Sequence, residues 1–103
     1  MSDHNQIAQE IVRQLGGMQR LSVMLGSKSF VALPKGLQIM FKAKARNKAN
    51  IVEIELSPSD LYNVKFKRLY AFEVRNVGRV HSGIGVEQLK PLIEAELGLR
   101  LSL

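Results

Sequence analysis

Five basic side chains, Lys35, Lys42, Lys44, Arg46 and Lys48, fall in one stretch that contains no acid. A run of that sign is suited to neutralising phosphate or carboxylate. A second group, Lys65, Lys67, Arg68, Arg75 and Arg79, is diluted by Asp60 and Glu73. Asn47 and Asn50 can add hydrogen bonds to the first group. Other reactive side chains are sparse. His4 and His81 lack neighbouring ligands at the spacing of a metal motif and read as solvated surface histidines. Glu53 and Glu55 share a strand face about 7 Å apart, a separation that suits a metal or an acid–base pair. Lys65 and Lys67, however, occupy the same kind of face on the next strand, and cross-strand ion pairing accounts for all four. Gly83-Ile84-Gly85 precedes a helix but lacks the spacing of a phosphate-binding loop, and there is no nucleophile elbow. Cysteine is absent, which excludes disulfides and thiolate metal sites. The expectation is a non-enzymatic chain with no metal and no cofactor.

The elements that hold these residues follow from hydrophobic spacing. Ile7, Ala8, Ile11, Val12 and Leu15 mark one face of a helix, which Asp3 or Asn5 can cap and Gly16-Gly17 ends. Met18 to Leu25 suits a second helix through Leu21, Met24 and Leu25, or a strand through Leu21, Val23 and Leu25; helix is the preferred reading. From Ser29 the period is two. Phe30–Leu33 and Leu37–Ala43 read as strands joined by Pro34-Lys35-Gly36. The second of these sends Lys42 and Lys44 to the polar face, and Arg46 and Lys48 extend a basic hairpin. Strands around Val52–Leu56, Tyr62–Lys67 and Tyr70–Val77 follow, with Ser57-Pro58-Ser59-Asp60 as a turn. Phe41, Tyr62, Phe66 and Phe72 fall on the core face, leaving few rings for base stacking. Leu89, Leu92, Ile93 and Leu97 recur at helical spacing, and Gly98 closes that helix. Pro91 fits in its first turn if the helix begins near Glu87 or Gln88. Leu99, Leu101 and Leu103 should be tied down as a strand or packed on the core. The expected class is α+β: one or two N-terminal helices, a four- to five-stranded antiparallel sheet, and a C-terminal helix.

The length of 103 residues predicts a single domain, 1–103, with a small core for which a homodimer is plausible. Apolar residues at 46% and charged residues at 23% are ordinary for a globule and argue against disorder. No apolar run approaches the roughly 20 residues of a membrane span, and residues 1–5 do not resemble a signal peptide, so a cytoplasmic protein is expected.

Several segments together resemble a family of short uncharacterised proteins carried by bacteriophages and other mobile elements. They are Leu15-Gly16-Gly17; Met24-Leu25-Gly26-Ser27-Lys28-Ser29-Phe30-Val31; the run from Ile54 to Phe66; and the ending Glu96-Leu97-Gly98-Leu99-Arg100-Leu101-Ser102-Leu103. That family often has Thr at the position of Leu97 and an aromatic at that of Arg100. The resemblance implies a small intracellular α+β protein without a known enzymatic role, and it transfers no site residues. Its phage setting points to nucleic-acid handling or interference with host machinery.

Combined with the charge, this predicts a nucleic-acid binder that uses Lys42, Lys44, Arg46 and Lys48, with Lys65, Lys67 and Arg68 nearby. One alternative is a protein–protein inhibitor of a host anti-phage factor, anchored by Met40 and Ile51, which alternation places on the wet face. Another is a small self-assembling structural protein. The bland alternative is a solvated edge whose lysines block edge-to-edge aggregation.

Overall fold

A computed structural model describes the backbone of residues 3–101 and the side chains of 6–26 and 29–101. Among these residues the order is α1 (Asp3–Gln14), α2 (Met18–Leu25), β1 (Ser27–Leu33), β2 (Gly36–Phe41), β3 (Ile51–Leu56), β4 (Tyr62–Tyr70), β5 (Glu73–Asn76), β6 (His81–Ile84) and α3 (Val86–Leu97). The class is α+β, with helices bracketing one antiparallel sheet.

The local causes are legible. The apolar stripe of α1 buries Ala8, Ile11, Val12 and Leu15, and the Gly17 N–H closes back onto the Val12 carbonyl at 2.9 Å. Gly26 ends α2 in the left-handed conformation, with its N–H on the Ser22 carbonyl. The capping role expected of Asp3 or Asn5, and the environment of His4, lie outside the described side chains. At the β1–β2 turn, Gly36 passes so close to β3 that a Cβ there would meet the Ile54 carbonyl oxygen at 1.9 Å. Only glycine permits that approach.

The sheet runs β1-β2-β3-β4, and both β5 and β6 pair with the outer edge of β4. The start of β4 holds β6 through Tyr62↔Ile84 and Val64↔His81. Its far end holds β5 through Lys67↔Asn76 to Tyr70↔Glu73. One sheet face, carrying Leu37, Ile39, Phe41, Val52, Ile54, Tyr62, Val64 and Phe66, packs with the helices and with Leu101 into the core. Burying each large side chain of this kind contributes about 1.5–3 kcal/mol. β4 outlasts that cover: beyond Lys67 it continues with β5 as a hairpin arm whose residues are exposed on both faces.

Three expectations change. The strand expected at Leu37–Ala43 stops at Phe41. There the Lys42 N–H donates to the Leu25 and Gly26 carbonyls and the Ala43 N–H to the Leu25 carbonyl. The free carbonyls at the end of α2 thus draw the chain out of the sheet, and residues 42–50 form a loop in place of a basic β-hairpin. The run Tyr70–Val77 is not one strand, because the chain reverses at Ala71-Phe72. Phe72 is therefore the arm's tip, 103% exposed, and not a core residue. α3 begins at Val86, so Pro91 falls in its second turn. Pro91 and Glu87, whose carbonyl loses its helical donor, are both exposed residues. At the C-terminal end Leu101 is fully buried and its N–H donates to the Glu94 carboxylate at 2.9 Å. Of the two outcomes expected for this segment, strand or core packing, the chain takes core packing; Leu103 lies outside the described residues.

Candidate nucleic-acid interface

The loop between β2 and β3 is shaped by its alanines. Ala43 and Ala45 are half-buried against the core and Ala49 is buried, while Lys42, Lys44 and Lys48 between them are exposed. Lys48 adopts a positive φ of 68°, and its N–H bonds the Ala45 carbonyl at 3.0 Å. Asn47 accepts the Ala49 N–H at 3.0 Å, tightening the same turn. Asn50 joins the loop to β4: its amide donates to the Leu69 carbonyl at 3.0 Å and accepts the Leu69 N–H at 2.8 Å. That side chain imitates a paired backbone and extends the ladder by one step. The asparagines thus build the scaffold, and their hydrogen bonds go to the protein.

Arg68 is the pivot. Its guanidinium donates to the Lys48 carbonyl at 3.0 Å and lies 5.8 Å from the Tyr70 ring centroid. A groove of about 720 Å³ on one side is lined by Lys42, Lys44, Lys48, Asn50 and Arg68. A hollow of about 550 Å³ on the other is lined by Asn47, Lys48, Arg68, Tyr70, Glu73 and Arg75. Lys48 and Arg68 belong to both, so the two form one surface. It carries Lys42, Lys44, Lys48, Arg68 and Arg75 against one carboxylate, Glu73, which Arg75 already holds at 3.2 Å.

Other residues expected here lie elsewhere. The Arg46 N–H donates to the Leu97 carbonyl at 2.7 Å, and its side chain runs over Gly98, where a Cβ would sit 3.0 Å from its Nε. Arg46 therefore serves the end of α3 through its backbone N–H, and its side chain packs over the closing Gly98. Lys65 and Lys67 alternate with Phe66 and Arg68, so they face the side of the sheet away from the helices. Lys67 pairs with Glu53 at 3.0 Å, Lys65 stands opposite Glu53 in register, and Glu55 faces Asn63. The expected cross-strand pairing reduces to one direct ion pair. Ile51, expected as an exposed anchor, is only 4% exposed, flanked in register by Met40 and Lys67, long side chains that shield it. Met40 is half-buried. These two do not form a protruding apolar anchor.

His81 is also not a solvated histidine. Pairing with β4 at Val64 turns it toward α3, where Nε2 meets the Glu96 carboxylate at 2.9 Å. Its ring stands edge-on to Phe66 with centroids 6.2 Å apart. Among the described residues no three His, Asp or Glu side chains are grouped to hold a metal, and no helix is long and apolar enough to cross a membrane.

Spacing did not reveal Tyr70 or Phe72 as surface residues. Both fit an alternating strand, and Ala71-Phe72 contains none of the usual turn residues. The expected break between Lys67 and Tyr70 falls three to four residues before the actual reversal, which lies between Tyr70 and Glu73. In comparisons with known proteins, the chain matches no family model, no curated protein and no solved structure.

Proposed function

We propose that this chain is a non-enzymatic accessory protein of a phage or other mobile element, acting in the cytoplasm, that binds nucleic acid. The contact surface is the loop 42–50 together with the base of the β4–β5 arm. One observation carries the reading: Lys42, Lys44, Lys48, Arg68 and Arg75 meet on a single surface with one carboxylate among them. Such a surface attracts a polyanion and releases its counterions on binding. The mobile-element setting rests on the resemblance of the segments from Leu15 to the end of the chain. Fluorescence anisotropy against labelled DNA and RNA at low salt tests the reading. If about four phosphates are neutralised, the logarithm of the affinity falls with the logarithm of salt at a slope near −3 to −4. Absence of binding at low salt overturns it.

A second reading, inhibition of a host protein, is favoured by the apolar Leu69 and Val74 exposed on the opposite face of the same arm. Capture of a host protein that survives nuclease treatment, by a chain that binds no nucleic acid, would replace the first reading with this one.

A further inference from the structure

We infer that the preferred ligand is single-stranded nucleic acid, with its bases stacked on Tyr70 and Phe72 and its phosphates on the adjoining cations. This rests on the nucleic-acid reading above and deepens it. Tyr70 is 70% exposed, and Phe72 at the tip of the arm is fully exposed. Tyr70 lines the same hollow as Lys48, Arg68 and Arg75, so one ring face and several phosphate-binding groups open on a common space. Arg68 is held by the Lys48 carbonyl and lies against the Tyr70 ring, which restrains the ring before any ligand arrives.

The turn supplies an independent observation. Ala71 and Phe72 both have positive φ, 52° and 66°. A two-residue reversal of this kind favours Asn and Gly, and a bulky side chain there is strained. Phe72 bears that strain and is also fully exposed, so no burial within the chain offsets it. A ligand that stacks on the ring does. An aromatic tip beside a basic groove suits bases that are free to leave a stack. In a duplex the base faces are already covered, and only phosphates and groove edges remain for the arm to touch.

The test uses the whole chain and labelled oligonucleotides of about 12 residues, single-stranded DNA, single-stranded RNA and the duplex of the same sequence, at matched salt. The single strands are expected to bind at least about tenfold more tightly than the duplex. Tyr70→Ala and Phe72→Ala are each expected to weaken single-strand binding by about 5- to 100-fold, Tyr70→Phe to retain it, and all three to keep the salt slope, because the phosphate contacts remain. Circular dichroism checks that each variant stays folded. Which of the DNA and RNA strands binds more tightly identifies the natural strand type. Equal affinity for duplex and single strands, or affinity untouched by both alanine variants, overturns this inference and leaves the basic-surface reading standing. That second result is also the one expected if the arm's rings dock on a protein. No binding to any of the three probes overturns both.

Discussion

Tyr62 shows how a single side chain ties an inner strand of the sheet to the first helix. It is buried at the start of β4, and its hydroxyl donates to the Gln14 amide oxygen at 3.0 Å. Burial penalises the phenolate and pushes the Tyr62 pKa above the ordinary 10.0. The folded state therefore holds this proton more tightly than the unfolded state. The stabilisation is complete below pH 10 and is lost as pH rises through the raised value. Tyr62→Phe should cost about 0.5–1.5 kcal/mol at neutral pH through the lost hydrogen bond. It should also lose less stability than the parent between about pH 9 and pH 11. Urea unfolding of both proteins across that range measures the difference. Equal losses would mean that the phenol ionises in the folded state as freely as in water. At this scale the sequence was informative about burial, since alternation put Tyr62 on the core face. It was silent about His81, because nothing local announces that a carboxylate fifteen residues away on α3 will meet it at 2.9 Å.

Among the elements, the β4–β5 arm departs most from what local pattern implies, and the reason is physical. Period-two alternation persists straight through Tyr70, Ala71 and Phe72, so the apolar signal reports a strand where the chain reverses. The helices and strands β1 and β3 were legible because their ends lie at or near residues with special backbone preferences: Gly16-Gly17, Gly26, Pro34 to Gly36, Pro58 and Gly98; β6 was not, because Gly83 and Gly85 mark His81–Ile84 as a connection although it pairs with β4. The β2–β3 loop was misread for a complementary reason. Lys42 and Ala43 continue the alternation, but the carbonyls at the end of α2, distant in sequence, capture their N–H groups. Replacing Ala71-Phe72 by Asn-Gly supplies the residues that the two positive φ angles favour. The double variant should gain about 1–2 kcal/mol of stability, read as a higher midpoint in thermal or urea unfolding. It should also lose affinity for single strands, since Phe72 is gone. A more stable arm that binds less well is the expected trade between stability and function. A destabilised double variant would mean that the Phe72 ring contributes to the fold.

For the molecule as a whole, the net charge of +6 is divided by the sheet into two unlike faces. The face away from the helices carries Lys65 and Lys67 alongside Glu53 and Glu55, with Lys67 and Glu53 joined directly. Its charges nearly cancel. On the other side the helices cover the sheet as far as Phe66, and just beyond their cover Lys42, Lys44, Lys48, Arg68 and Arg75 collect against Glu73. Fold topology thus concentrates an excess that composition reports only as a total. Location and total can be separated by two single variants, Lys44→Glu and Lys65→Glu, each of which lowers the formal net charge from +6 by the same amount. If non-local attraction governed binding, the two would weaken it equally. If phosphates sit in the groove, Lys44→Glu should reduce affinity about 5- to 20-fold at low salt and lower the salt slope by roughly 0.7–0.9, one phosphate's worth. Lys65→Glu should change affinity less than about twofold and leave the slope intact, since screening confines a remote surface charge to its own neighbourhood at moderate ionic strength. Anisotropy titrations over a series of salt concentrations read both quantities. Equal responses would mean that the basic surface acts through its total charge, and the groove would lose its claim to be the binding site.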